Sequence, residues 1–426
     1  MRVLIASDYY PPFIGGAHRQ TRLLAHELAE RGHDVAVATL WYAGAAAEEL
    51  DDGITVYRLR QVRSVIAALA RRGQLHHPAF PDPVTTWQFR RLIKARRPDV
   101  IHAYGGIAFS AAAANAGQRA SLVIAARDYG FNCPTRTLVY RGNVCPGPAL
   151  TRCPACSIRH FGVAKGLVAA GGLEISRPLL ASRIHGLHSV SRYVEETMHR
   201  DVLRGRPVRC AIVPSFREDA PTVAASAESQ ILRRLDAIAE PFILFVGALR
   251  REKGIDDLVA AHASLEKRIP LVLIGTRESD TPAHLPAGVT VLENASHPEI
   301  LSAWDRAAFG VFPSRLPEPL GSVVYEAMSR GKAVIGTRPG GHEDMITDGE
   351  DGLLIPAGDS EALRAAITRL VEDESLRRRL GEAARARADE FVASVSVPRL
   401  EAFLEEVVAG RRLRRVKEDG QARDRQ

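Results

Sequence analysis

Short, wholly apolar runs alternate along this chain with longer stretches of helical periodicity. Residues 2–7 form the first run, followed by Asp8-Tyr9-Tyr10-Pro11-Pro12-Phe13-Ile14-Gly15-Gly16, a loop ending in paired glycines. Leu23, Leu24 and Leu28 then recur at helical spacing, and Gly32 stops that helix before a second strand over 34–40. Strand, loop, helix, strand opens a doubly wound α/β domain, because parallel neighbours need a crossover helix. Further strands are expected at 98–103, 123–129, 184–190 and 208–213, with a basic helix over 89–97. Residues 218–229, rich in Ala, Ser, Thr and Pro, read as a linker. The alternation restarts with the apolar run 242–247 and continues through 271–275, 289–292, 309–312 and 333–337. Helices are expected from 255, over 298–308, from 342, and over 360–370 and 375–391.

The stretch 309–328 carries the most specific pattern. Its strand ends at Pro313, which cannot donate to a ladder, and Ser322 is placed to cap a helix beginning Val323-Val324-Tyr325. Glu318 and Glu326 bracket that helix start. Between them the backbone N–H groups of Leu320, Gly321 and Ser322 form a positive end suited to a diphosphate. Flanking carboxylates accept hydrogen bonds from hydroxyls, so the arrangement matches ribose, diphosphate and hexose in sequence, the layout of a nucleotide sugar. Gly15-Gly16 lets backbone approach a ligand at the carboxyl end of the first strand. No Gly-x-Gly-x-x-Gly is present in that loop, which argues against a nicotinamide or flavin site. Two ordinary glutamates beside a surface helix are the plain alternative.

Composition adds bounds. The 426 residues, 46% hydrophobic and 25% charged, fit a globular chain of two or three domains. No apolar run is long enough to span a bilayer, so a cytoplasmic location is expected. Charge is uneven. Residues 1–216 carry 28 Lys and Arg against 15 Asp and Glu, whereas the remainder carries 29 against 35. That asymmetry points to an anionic partner, and an anionic membrane surface fits better than nucleic acid, for which no recognition motif accompanies the charge. Arginines on solvated helix faces are the alternative. His76-His77 has no third candidate ligand nearby in sequence and is not read as a metal site.

Four of the five cysteines, Cys133, Cys145, Cys153 and Cys156, fall within 24 residues among many Pro and Gly. A loop of that composition has little core of its own, and a structural zinc held by all four thiolates would staple it. Four unliganded thiols are the alternative. Cys153-x-x-Cys156 is not expected to open a helix, which sets a redox pair aside, and a reducing cytoplasm disfavours a disulfide. Cys210 stands alone in a strand and reads as a core residue.

The Glu318 to Glu326 spacing resembles a known family when taken with Glu326-Ala327-Met328, Gly331-Lys332-Ala333-Val334-Ile335-Gly336-Thr337, Gly340-Gly341 and Asp348-Gly349-Glu350-Asp351-Gly352-Leu353-Leu354. These residues are similar to those of the retaining, nucleotide-sugar-dependent glycosyltransferases of family 4, also called glycosyl transferases group 1. The resemblance implies an α/β fold of GT-B architecture, two doubly wound Rossmann-like domains facing a cleft. The implied division is an acceptor-side domain over 1–216 with a cysteine-rich insert near 130–160, and a nucleotide-sugar-binding domain over 217–395. A helix over 396–410 would cross back to the first domain, ahead of a disordered basic tail over 411–426.

In such a family Gly15 and Gly16 would line the donor phosphate and sugar site, and Lys253 would contact the diphosphate. Ala248 stands where the pattern has an arginine, so Arg250 or Arg251 is expected to substitute. Arg127 stands where a histidine usually precedes Asp128, and a guanidinium there can still stabilise departing negative charge. The catalytic set is Asp128 near the acceptor hydroxyl, Glu318 on the donor sugar and Lys253; Glu326 would hold the ribose. The implied reaction moves a hexosyl group from a nucleotide diphosphate sugar to a glycan or lipid-linked acceptor, with retention, in cell-surface polysaccharide or glycolipid synthesis. The donor is a co-substrate, and no cofactor or catalytic metal is expected, since the chain has no Asp-x-Asp. Attachment to the inner face of the plasma membrane is compatible with the basic first half. An epimerase or phosphorylase on the same scaffold, or a non-catalytic glycan-assembly binding protein, are the competing functions.

Overall fold

The computed structural model describes residues 1–13, 15–65, 76–219, 229–282 and 284–423, with backbone alone over 414–423. Arg71, Arg72 and linker residues 220–228 lie outside the described residues. The strands in chain order are β1 (Arg2–Ser7), β2 (Asp34–Leu40), β3 (Glu48–Asp51), β4 (Ile54–Leu59), β5 (Val100–Tyr104), β6 (Ser121–Ala126), β7 (Val139–Tyr140), β8 (Asn143–Val144), β9 (Gly186–Ser189) and β10 (Arg209–Ile212). They continue with β11 (Phe242–Val246), β12 (Leu271–Ile274), β13 (Val289–Leu292), β14 (Ala307–Val311), β15 (Ala333–Arg338) and β16 (Leu353–Pro356).

Two compact units result. One comprises Met1–Leu138, Pro146–Pro214 and Ser394–Gln426, and the other Val139–Cys145 and Ser215–Ala393. The first holds an eight-stranded sheet ordered β10-β9-β6-β5-β1-β2-β4-β3, parallel throughout except where β3 runs against β4. The second holds an all-parallel sheet ordered β13-β12-β11-β14-β15-β16. Strands such as β5, β6 and β11 are buried along their whole length, which is why they read as unbroken apolar runs. In each unit strand order reverses beside the first strand, between β1 and β5 and between β11 and β14. Loops leaving the carboxyl ends there diverge to opposite faces and open a crevice, the general ligand position of open α/β sheets.

The last helix, Ala393–Arg423, belongs to the first unit. Phe403, Leu404, Val407 and Val408 are buried, and Gly186 of β9 lets Val407 and Phe403 come close. The helix runs on to Arg423, over most of the span where a disordered tail is expected. Arg411 donates to the carbonyls of Ala120 and Gln118, and Arg412 pairs with Asp99 at 2.9 Å. Residues of good helix propensity are thereby added to an existing helix, which requires no new nucleus.

The cysteine-rich stretch also departs from expectation. Cys153 and Cys156 lie in the first turns of a helix over Arg152–Phe161, which leads into a longer helix over Val163–Ala181. Cys133 is buried with its Sγ 3.2 Å from Thr135 Oγ1, and Cys153 Sγ accepts the Ala149 N–H at 3.3 Å. Cys145 is part of the second unit, whereas the other three belong to the first. Among the described residues, the His, Cys, Asp and Glu groups close enough to share an ion are Glu195–His199–Cys210 and His26–Asp51–Asp52. The four-cysteine zinc is therefore not supported, since none of these four cysteines belongs to either group. Among the described residues no helix is long and apolar enough to cross a membrane.

A Cβ at Gly186 would lie 2.7 Å from Val407 Cγ2, whereas one at Gly171, inside the 163–181 helix, meets nothing within 4 Å. Gly186→Ala is expected to lower stability by about 1–3 kcal/mol through overpacking. Gly171→Ala is expected to raise it by about 0.5–1 kcal/mol by removing a helical glycine. Urea unfolding of both variants checks the pair, and equal effects would contradict the packing described.

Candidate active site

At the second unit's switch point, β11 runs into Gly247-Ala248-Leu249-Arg250, then a 3-10 turn over Arg251–Lys253 and Gly254 at φ 75°. A side chain at Gly254 would place Cβ 1.9 Å from the Pro313 carbonyl oxygen. Only glycine lets the Lys253 turn lie directly on the loop leaving β14. That approach sets Lys253 Nζ 2.5 Å from Glu318 Oε1, and Ser314 Oγ donates to the same oxygen at 2.7 Å. Glu318 is buried. Burial on its own raises a carboxyl pKa, but the charge of Lys253, the His342 ring and the two hydrogen bonds outweigh it and hold Glu318 below the usual range.

The backbone around Glu318 is fixed as tightly as its side chain. Its carbonyl accepts the Gly341 N–H at 2.6 Å. A Cβ on Gly340 would come within 2.8 Å of Glu318 N, and one on Gly341 within 2.2 Å of the Pro319 oxygen. His342 opens a short helix, and its Nδ1 accepts the Thr337 N–H at 3.0 Å, which leaves the proton of the neutral ring on Nε2. Burial pushes its pKa down to about 4 against the pull of Glu318.

The helix over Ser322–Ser329 starts as the spacing predicts, but its cap differs. Gly321, at φ 89°, is the N-cap, and no side chain caps the helix, so Ser322 is its first residue. His342 explains the glycine: its Nε2 would stand 3.1 Å from a Gly321 Cβ. Leu320 is buried beneath the turn. Glu326 lies one turn inside the helix, buried, with Oε1 3.3 Å from His297 Nε2. Arg250 and Arg251 face elsewhere: Arg250 lies near Glu252 and Glu278, at 3.9 and 3.8 Å, and Arg251 bonds Asp256 at 2.8 Å. Lys253 and Glu318 are brought together; the two arginines are tied to surface carboxylates.

The first unit's switch point is built around Asp8, which the sequence pattern did not single out. Its buried carboxylate accepts the N–H groups of Ile107 at 2.8 Å and Gly106 at 3.1 Å, capping the helix over Ile107–Ala114. Gly106 is required because a Cβ there would meet the His77 carbonyl at 2.4 Å. Arg136 is a second omission: it donates to Tyr9 Oη at 2.6 Å and lies 3.7 Å from Asp128 and 3.9 Å from Asp8. Burial pushes the Tyr9 hydroxyl up to about 12 although Arg136 opposes it, so Tyr9 stays protonated.

Asp128 turns its other oxygen to the Gly130 N–H at 2.8 Å, and the Arg127 guanidinium lies 5.5 Å from the Tyr104 ring centre. Gly15 is the N-cap of the helix over Gly16–Glu30, its carbonyl accepting from His18 and Arg19. The preceding loop is pinned by Arg58 donating to the Pro11 carbonyl at 2.7 Å and by Tyr10 donating to Asp51 at 2.7 Å. Asp8 sits directly after the first strand, a position that could have flagged it. Arg136 has no such signal.

The Glu318 charge generates a pH prediction. A carboxyl held below its unfolded value contributes stability that is full above the unfolded pKa and lost as pH falls through the folded one. The stability difference between the protein and Glu318→Gln is therefore expected to stay constant above about pH 5 and to shrink below about pH 4. Urea unfolding at stepped pH reads it, and a difference that grows on acidification would contradict the pairing.

Residues 15–215 match the glycosyl transferase 4-like domain, and residues 233–387 match glycosyl transferases group 1. The alpha-maltose-1-phosphate synthase of Mycolicibacterium smegmatis is 32% identical over 268 residues, 53% of this chain and 68% of that protein. The GDP-mannose-dependent alpha-mannosyltransferase of Mycobacterium tuberculosis is 27% identical over 394 residues, 88% of this chain and 89% of that protein. Among solved structures, sucrose-phosphate synthase from Thermosynechococcus elongatus superposes with a TM-score of 0.73 at 19% identity, covering 96% of this chain and all of that one. HepE of Anabaena, in complex with UDP and glucose, superposes with a TM-score of 0.65 at 17% identity, covering 95% of this chain and all of that one. With both family domains in tandem on two parallel-sheet Rossmann-like units, this chain belongs to the GT-B glycosyltransferases of the group 1, family 4-like type.

Proposed function

We propose that this transferase moves a hexosyl group from a nucleotide diphosphate sugar to a glycan or lipid-linked acceptor, with retention, in cell-surface polysaccharide or glycolipid synthesis. The observation that carries the reading is the buried Glu318 carboxylate, paired with Lys253 beside the uncapped N-terminus of the Ser322–Ser329 helix. A fixed cation and free backbone N–H groups suit a diphosphate that gains charge as the sugar bond breaks. In this reading Lys253 stabilises the leaving diphosphate, Leu320, Gly321 and Ser322 receive it through backbone N–H groups, and Glu318 binds donor-sugar hydroxyls. Glu326, buried one turn further on, accepts from the ribose.

The first unit would choose the acceptor, with Asp128 nearest its hydroxyl and Arg136 3.7 Å from its carboxylate. Gly15 and Gly16 would give backbone access at the end of β1, and Arg127 would face the departing charge. Arg250 and Arg251 would reach the diphosphate only by leaving their present carboxylate partners. A relative named for GDP-mannose and neighbours solved with UDP and with ADP make uridine, guanosine and adenosine diphosphate sugars the donors to test.

Release of nucleoside diphosphate from each donor, with and without acceptor extract, is the assay. One donor is expected to turn over, Lys253→Met to lower kcat/KM by about a hundredfold or more, and the product anomer to match the donor's by NMR. No turnover with any donor, or full activity in Glu318→Ala, would sink the proposal.

A membrane-borne acceptor draws support from the helix over Val163–Ala181. Val163, Leu167, Val168, Ile175 and Leu179 are all at least half exposed and share one face of it, with exposed Arg159, Lys165 and Arg183 around them. A surface helix normally buries its apolar face, and an apolar arc edged by cations suits an anionic lipid surface. Co-sedimentation with phosphatidylglycerol vesicles is expected, lost in Leu167→Glu/Ile175→Glu and weaker with phosphatidylcholine. Equal binding by that variant would contradict the assignment.

A further inference from the structure

The edge of the first unit's sheet holds a mixed set of side chains outside the transfer machinery. β10 is an edge strand, hydrogen-bonded to β9 on one side. The helix over Arg192–Met198 packs beside it and passes directly into a π-helical turn, His199–Leu203. Such turns insert a residue into a helix and recur at functional sites. Glu195 and His199, four apart, fall on one helix face, and Cys210 of β10 faces them. The core position expected for Cys210 is corrected: it is half-buried at the sheet edge.

The donor atoms converge. Cys210 Sγ lies 3.4 Å from His199 Nε2 and 3.3 Å from the Val208 carbonyl oxygen. Glu195 offers a carboxylate oxygen, and the three ligand atoms all lie within 4.8 Å of one another. Glu195 Oε2 is buried and has no hydrogen-bond partner. A buried carboxylate oxygen left unsatisfied costs free energy that a cation would recover.

We propose that Glu195, His199 and Cys210 form a zinc site that clips the π-turn to the edge strand. One sulfur, one nitrogen and one oxygen suit zinc, whereas calcium and magnesium take oxygen sets. With Zn–S of about 2.3 Å and Zn–N of about 2.0–2.1 Å, tetrahedral geometry separates the two atoms by roughly 3.5 Å, close to the spacing observed. Three protein ligands leave a fourth position for a water molecule. Burial raises the Cys210 thiol to about 11 and also raises the Glu195 carboxyl. Zinc entry therefore displaces the thiol proton, and any carboxyl proton, to solvent as the Zn–S and Zn–O bonds form. The clip belongs to the edge of the fold and is independent of the donor chemistry.

The test uses the full chain, stripped with chelator and titrated with zinc, and separately with cobalt to reveal a thiolate-to-cobalt band. About one zinc per chain is expected, with a raised Tm. Cys210→Ala should abolish the cobalt band and weaken zinc roughly tenfold or more, and Glu195→Gln should weaken zinc similarly with the band retained. Cys153→Ser/Cys156→Ser should leave binding unchanged, which separates this site from the cysteine-rich stretch. Circular dichroism of each variant confirms that it folds. No zinc uptake, zinc retained in Cys210→Ala, or zinc lost in the Cys153/Cys156 variant would each overturn the proposal.

Discussion

The second unit is organised by one electrostatic requirement: the buried carboxylate of Glu318 must be kept charged. An isolated carboxylate removed from water would take up a proton, so the fold supplies Lys253 at 2.5 Å and the Ser314 hydroxyl at 2.7 Å to one of its oxygens. That demand explains the local backbone. Lys253 reaches Glu318 because Gly254 lets its turn lie on the Pro313 carbonyl, and the Glu318 loop holds its path because Gly340 and Gly341 lie against it. His342 completes the enclosure, its ring pushed by burial to a pKa of about 4. The helix start at Gly321 is thereby left with backbone donors and no competing side-chain cap.

The first unit solves a related problem with different residues. Asp8 uses its buried carboxylate to cap the Ile107–Ala114 helix, and Arg136 joins Asp8, Tyr9 and Asp128 in one network. A charged pair of this kind fixes the direction of Asp128 more than it adds stability, since each charge lost on burial offsets much of what pairing returns. The same sheet carries a structural margin in Ala393–Arg423, whose Arg411 and Arg412 close onto loop carbonyls and Asp99.

Much of this was legible in the sequence, for identifiable reasons. Parallel strands buried on both faces leave apolar runs, so β1, β2, β5 and β11 could be read directly, and with them the doubly wound class. Glu318, Glu326 and Gly340-Gly341 carried the resemblance because the Glu318 loop, the helix start after it and the glycine turn pack directly on one another, which fixes their spacing. Ser314, His342, Asp8 and Arg136 were not legible as a set, since each is an isolated polar residue that topology, not periodicity, carries to its partner. The cap at Gly321 was missed because its left-handed turn lies against the His342 ring, a residue distant in sequence that no local propensity rule reaches. Composition could not show that the last helix runs on past 410, because charged helix and charged coil share the same residues, and it grouped four cysteines that do not form a shared set of ligand atoms.

The claim on which the account rests is that Lys253 and the adjoining helix start receive a nucleoside diphosphate. Isothermal titration with UDP, GDP and ADP, on the protein and on Lys253→Met, measures it directly. The account predicts that at least one nucleotide binds the protein and that Lys253→Met weakens it about tenfold or more, roughly 1.4 kcal/mol. Equal affinity in Lys253→Met, or no binding by any of the three, would contradict it.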